Sequence, residues 1–163
     1  MLKPVKNNRQ SFSKITKGLK IAIIRSEFNP LITKNLEQYC LKTLKQQGVK
    51  RGNITAFLVP GALEIPIAAK LLAKSKRYHA IIALGAIIKG DTYHFELVAN
   101  ECARGCMDIV LEYEVPVIFE VLATYTLEQA QIRSSNNKNN KGIEAAVAAL
   151  KICTTLSKIK EAK

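Results

Sequence analysis

Long apolar runs are missing from this sequence. None of its hydrophobic stretches approaches the roughly 20 residues that a bilayer-spanning helix needs, so no membrane partner is expected. The polar, basic first residues lack the apolar segment and cleavage site of a secretory signal. Cysteine is sparse and unpatterned: Cys40, Cys102, Cys106 and Cys153 make no CxxC pair and no zinc-ligand spacing. Cys102 and Cys106 share a helix face at i,i+4, yet two thiols are only half of a metal site. Buried reduced thiols, no metal and a cytoplasmic location are the expectation.

Acidic residues are also scarce, 13 against 25 Lys and Arg, for a net charge of +12. Such an excess suggests nucleic acid until it is located. Residues 1–20 carry Lys3, Lys6, Arg9, Lys14, Lys17 and Lys20 with no acid, and 151–163 carry four lysines against Glu161, so the body keeps only +3. Charge runs in tails are ordinarily solvated. Aromatic residues, 6% of the chain, are not interleaved with the basic ones as a base-stacking platform requires. No specific nucleic-acid partner follows.

What is present is alternation. The 163 residues suit one domain, read as a basic arm over 1–18, a body over 19–158 and a basic tail over 159–163. Apolar, β-branched runs over 19–24, 54–59, 79–84 and 115–121 read as strands buried on both faces. Helical patterns follow them over 30–47, 62–74, 95–113, 127–133 and 143–158. Asn29 before Pro30 reads as an N-cap, Gly48 as a helix stop and Thr126 as a further cap. Strands alternating with helices imply a parallel four-stranded sheet covered on both faces, a three-layer αβα sandwich of the α/β class.

The central stretch is Leu84-Gly85-Ala86-Ile87-Ile88-Lys89-Gly90-Asp91-Thr92-Tyr93-His94-Phe95-Glu96. Its glycines are expected in a strand-to-helix turn, where free N–H groups and the helix dipole favour an anion such as phosphate. Asp91 stands where a P-loop needs its lysine, which excludes a nucleoside triphosphate loop. The structural alternative is a plain turn capped by Asp91 or Thr92. His94, one of two histidines, would stand at the mouth of the turn as an acid/base. Ligands of such sheets bind beyond the carboxyl ends of the strands. Phe28-Asn29, the segment 61–64, the turn at 85–94 and the segment after Phe119 all fall there. Phe28 is either a lid on the core or a ligand platform, and Glu64 either a dipole partner or a hydrogen-bond acceptor. A small enzyme acting on a phosphorylated metabolite fits these features, and so does a binding module with basic tails.

Beside the central stretch, Val59-Pro60-Gly61-Ala62-Leu63-Glu64-Ile65-Pro66, Pro116-Val117-Ile118-Phe119, Leu127-Glu128-Gln129-Ala130 through Arg133, and Asn140-Lys141-Gly142-Ile143-Glu144-Ala145-Ala146 follow in order. In these motifs the chain resembles the lumazine synthases of riboflavin biosynthesis, over about 19–156. The resemblance implies a flavodoxin-like fold. It also implies condensation of 5-amino-6-ribitylaminouracil with 3,4-dihydroxy-2-butanone 4-phosphate. By that similarity Phe28 stacks on the pyrimidine, while Ala62, Leu63 and Glu64 hold the ribityl chain. Backbone at Ala86, Ile87, Ile88 and Phe119 reads the pyrimidine edge. Gly90, Asp91, Thr92 and Arg133 hold the phosphate, and His94 shuttles protons. No cofactor is needed, since the substrates bring nucleophile and leaving group, and Lys89 is not assigned as a Schiff-base lysine. The family's pentamers, some built into sixty-subunit icosahedral shells, are implied as well, with riboflavin synthase as a candidate partner. The arm before Leu19 would add a strand to the adjacent subunit's sheet. Two departures stand out. Glu120 replaces a usual glycine, and 134–140 is asparagine-rich, which leaves Lys138 unassigned. Glu144 is a candidate to orient His94 or Arg133. A scaffold that stores a flavin-like product is a third alternative.

Overall fold

Residues 12–162 are described by the computed structural model of the chain. Four strands, β1 (Ile21–Ser26), β2 (Ile54–Val59), β3 (Ala80–Ile88) and β4 (Val117–Thr124), pair in parallel in the order β2-β1-β3-β4. Six helices accompany them: α1 (Ser13–Thr16), α2 (Pro30–Gln46), α3 (Ile65–Lys74), α4 (His94–Tyr113), α5 (Leu127–Ser134) and α6 (Lys141–Glu161).

The period-2 alternation of strand side chains separates two cores. Ile21 and Ile23 of β1, with Ile82 and Leu84 of β3, pack with Leu36 and Leu44 of α2 and Ala146 and Leu150 of α6. Ala22, Ile24, Ile81 and Ala83 face the other way, onto Ile65 and Ala69 of α3 and Cys102 and Ile109 of α4. The three-layer αβα arrangement is thus present. Alanines on α6 let it approach α2 closely. A Cβ on Gly142 would strike the carbonyl of Leu36, so only glycine fits that contact. All four cysteine thiols are buried.

Several expected boundaries shift. β3 does not stop at Leu84, because β4 pairs with it as far as Ile88 opposite Thr124. Gly85 is therefore a strand residue rather than part of the turn, and Val121 and Ser26 crowd the space a Cβ would take. Asn29 holds the expected N-cap position of α2 with Pro30 next to it, but not as a side-chain cap. Its backbone is left-handed (φ 54°) and its side chain makes no capping bond. Neither Asp91 nor Thr92 caps α4, whose N-cap is Tyr93 without a side-chain bond. Gly48 does adopt the positive φ (96°) expected of a helix stop. Thr126 caps α5, its hydroxyl accepting from the Gln129 N–H at 3.2 Å. Residues 62–64 form a 3-10 turn before α3, and α6 continues through the expected tail to Glu161. Of the basic arm, residues 1–11 lie outside the described residues, and so does that part of the expected strand addition. Residues 13–16 form one helical turn, beside which Phe12 and Thr16 are buried.

β2 is less covered than a doubly buried strand should be. Phe57 is 37% and Leu58 52% exposed at this sheet edge. Ile67 and Leu71 of α3 and Met107 and Leu111 of α4 are also exposed.

Candidate active site

The strand order reverses between β1 and β3, and at such a switch point the loops diverge to leave a crevice. A cavity of about 410 Å³ lies there, lined by Phe28, Asn29, Gly61, Ala62, Leu63, Glu64, Ala86, Ile87, Ile88, His94 and Val98. Each lining segment comes from a strand end or the helix start beyond it.

Two backbone bonds tie the loops after β1 and β2 together. The Glu27 N–H donates to the Val59 carbonyl at 2.8 Å and the Phe28 N–H to the Pro60 carbonyl at 3.3 Å. They set the Phe28 ring beside Gly61. A Cβ there would lie 3.0 Å from Glu64 Oε2 and 4.0 Å from Phe28 Cδ2, so the absent side chain lets carboxylate and ring flank one space. Phe28 is 72% exposed, which is unlike a lid on the core and suits a platform for a planar ligand.

β3 outlasts β1. The β1–β3 register ends at Arg25 opposite Leu84, while β3 continues to Ile88 against β4 alone. In a parallel ladder alternate residues turn their N–H and C=O toward opposite neighbours. The Lys89 N–H donates to Thr124 on the β4 side at 2.9 Å, which leaves Ala86 and Ile88 facing the side that β1 has vacated. Their backbone groups can read a ligand edge, as buried or enclosed peptide groups need partners. The Ala86 carbonyl already accepts from Asn29 Nδ2 at 2.8 Å. Ile87 turns its backbone to β4 and lines the cavity with its side chain.

His94 opens α4 and lines the same cavity with an exposed side chain. Asp91 and Thr92 are exposed in the turn before it and do not line the cavity. Phe119 (38% exposed) sits on the edge strand β4, opposite Ala83. Arg133 is exposed in the last turn of α5, with Nη1 donating to the Gln129 carbonyl at 2.9 Å. One chain therefore gathers the residues proposed for the pyrimidine and ribityl groups, apart from Phe119. It does not bring Arg133 into that cavity. Val98 is a lining residue that the sequence did not single out, whereas Asn29 belongs to the Phe28-Asn29 strand-end segment that it did. Its place before Pro30 marked Asn29 as a helix cap and did not show that its side chain would bond across to β3.

Glu120, on the face of β4 turned toward α2 and α6, is a half-buried acid. Burial, together with the charge of Glu144, pushes its carboxyl up to about 7, and Lys141 opposes the rise. Lys141 Nζ pairs with Glu144 Oε2 at 2.6 Å at the start of α6. Asn140, fully buried just before that pair, joins α5 to α6. Its Nδ2 donates to the carbonyls of Ser134 (2.6 Å) and Ser135 (3.0 Å), and its Oδ1 accepts from the Gly142 N–H (2.8 Å). This staple ties the end of the helix bearing Arg133 to the start of the helix bearing Lys141 and Glu144.

The sequence profile of the 6,7-dimethyl-8-ribityllumazine synthase family matches residues 18–157. The chain belongs to that family. A 6,7-dimethyl-8-ribityllumazine synthase of Leuconostoc mesenteroides is 47% identical over 141 residues, covering 86% of this chain and 90% of that protein. One from Kosmotoga olearia is 49% identical over 135 residues, covering 83% and 86%. One from Coxiella burnetii is 44% identical over 142 residues, covering 87% and 94%. Within this lumazine synthase family member, the matched span contains every element from β1 to β4 and all the lining residues of the cavity. Among the described residues, no helix is long and apolar enough to cross a membrane.

Proposed function

We propose that the chain condenses 5-amino-6-ribitylaminouracil with 3,4-dihydroxy-2-butanone 4-phosphate, giving 6,7-dimethyl-8-ribityllumazine, phosphate and water, the penultimate step of riboflavin biosynthesis. The convergence of Phe28, Glu64, the backbone of Ala86 and Ile88 on the side that β1 vacates, and His94 on one switch-point cavity carries this reading. Phe28 stacks on the pyrimidine, and Ala86 and Ile88 with Phe119 hold its edge. Ala62, Leu63 and Glu64 bind the ribityl hydroxyls, and Ile87 closes the apolar wall. Gly90, Asp91, Thr92 and Arg133 hold the phosphate, with the guanidinium as a charged fork.

The substrate amine attacks the ketone to form an imine with loss of water. Phosphate is then eliminated, the resulting enol becomes a ketone, and the second nitrogen closes the ring onto that carbonyl with loss of a second water. His94 moves protons in these steps, and the remaining acceleration comes from holding two metabolites in reacting posture. The substrates bring both nucleophile and leaving group.

Phe119 and Arg133 lie outside the cavity of their own chain, and apolar residues are exposed on β2, α3 and α4. We therefore read the working form as a closed pentamer in which a neighbouring copy completes each site, and extend this to an icosahedral shell with riboflavin synthase as partner. The four buried thiols fit a reducing, cytoplasmic compartment. Mixing the two substrates with the protein and following lumazine absorbance tests the reaction; no absorbance beyond the uncatalysed rate would refute it. Light scattering tests assembly, and a monomer-sized species sinks the completed site.

A further inference from the structure

Between Lys89 and Glu96 the chain leaves β3, makes the turn 90–93 and enters α4 at His94. This segment has little of its own to hold it. Among the described residues, no side chain from Asp91 to His94 makes a hydrogen bond, and a Cβ on Gly90 would meet nothing within 4 Å. Its two ends, however, are joined. Lys89 Nζ lies 3.1 Å from Glu96 Oε1, with both side chains more than half covered. The Lys89 N–H adds one more rung to the β3–β4 ladder at Thr124, 2.9 Å away. The ammonium also lies 5.5 Å from the centre of the Tyr125 ring, within cation–π range, and Tyr125 in turn packs on Phe95 at 6.2 Å. Glu96 occupies the first turn of α4, where a carboxylate complements the helix dipole. Its second oxygen, Oε2, is buried without a partner, and its own backbone N–H together with Lys89 holds the carboxyl below the usual range.

We propose that Lys89 and Glu96 form a clasp that closes the 90–95 loop and thereby positions both the phosphate-binding turn and His94. The inference rests on the proposed reaction for its kinetic consequence, whereas the clasp itself is a property of the fold. Neither residue touches substrate. They are positioning residues, and they act by keeping the turn's N–H groups and the imidazole in place before the phosphorylated ketone arrives. Tyr125 carries the same constraint to the end of β4, just before α5 begins.

The test compares the full-length protein with Lys89→Met, Glu96→Gln, the double variant and Lys89→Arg. Removing an ion pair of this exposure should raise the KM for the phosphorylated ketone about fivefold in Lys89→Met and lower kcat a few-fold, well short of the loss in His94→Ala. Hydrogen exchange of the amides over 90–94 should accelerate by a similar factor while the β1 and β3 amides keep their protection. Glu96→Gln should act in the same direction. The double variant should be no worse than Lys89→Met, since the two changes break one interaction. Lys89→Arg, which keeps charge and donors, should match the parent in both readouts. Unchanged exchange over 90–94 in Lys89→Met, losses that multiply in the double variant, or exchange that rises equally across the sheet would each overturn the clasp. If the parent protein shows no turnover, the proposed reaction fails, and the exchange experiment still decides the clasp.

Discussion

The side-chain amide of Asn29 donates to the carbonyl of Ala86 at 2.8 Å, across the gap left where β1 ends and β3 continues. Asn29 makes this bond from a left-handed backbone (φ 54°, ψ 57°), which asparagine tolerates better than most residues. One side chain thus fixes the loop carrying Phe28 relative to the strand whose backbone faces the cavity. Asn29→Ala removes the bond and puts at a left-handed position a residue that tolerates it less well than asparagine, so we expect a loss of about 2 kcal/mol of stability. Asn29→Gly removes only the bond and should lose about 1 kcal/mol. Urea denaturation of the two variants separates strain from hydrogen bonding.

Asn140 is fully buried and satisfies three backbone groups at the α5–α6 junction. Asn140→Ala leaves those groups without partners, and we expect a loss of about 2–4 kcal/mol. Asn140→Asp should fall between the two, since it keeps the acceptor for Gly142 but loses the donors to Ser134 and Ser135. Thermal melts monitored by circular dichroism give the order directly.

Glu120 titrates at about 7 in the folded chain, above the ordinary carboxylate range, because burial and the Glu144 charge disfavour its ionised form while Lys141 favours it. Between the unfolded value and about 7 the folded state binds more protons than the unfolded one, so stability must fall as pH rises through that window. The slope from this group is at most about 1.4 kcal/mol per pH unit. Glu120→Gln should flatten that part of the stability–pH curve and be the more stable protein at pH 8. An unaltered pH dependence in the variant contradicts the assignment.

The functional roles proposed for His94 and Arg133 predict different kinetic signatures. Loss of one acid/base in a reaction whose substrates carry their own nucleophile should lower kcat about tenfold to a hundredfold in His94→Ala. Arg133→Ala removes a charged fork for phosphate and should mainly raise the KM of the phosphorylated substrate, by about a hundredfold. Steady-state assays varying each substrate in turn distinguish the two patterns. Equal effects on kcat and KM in both variants would show that the roles are misassigned.

The alternation of apolar β-branched runs with amphipathic stretches, the glycine at 48 and the threonine at 126 are local signals, and they determined the four strands, the covering helices and the layer order. They do so because burial and capping act over a few residues and leave their periodicity in the sequence. β2 has the limits read for it, 54–59. The motifs around 59–66 and 84–96 likewise carried the family and the residues of the cavity. What only the tertiary structure decided depends on register. Where β3 outlasts β1 follows from how strands pair, and no local pattern marked Ile88 as its last residue. That the side chain of the N-cap residue Asn29 bonds across to β3 has the same origin, since its partner Ala86 lies 57 residues away. Phe119 and Arg133 stand apart from the cavity for a related reason. Phe119 lies on the edge strand β4 and Arg133 in the helix after it, and the strand order, not composition, sets how far they stand from the β1–β3 crevice.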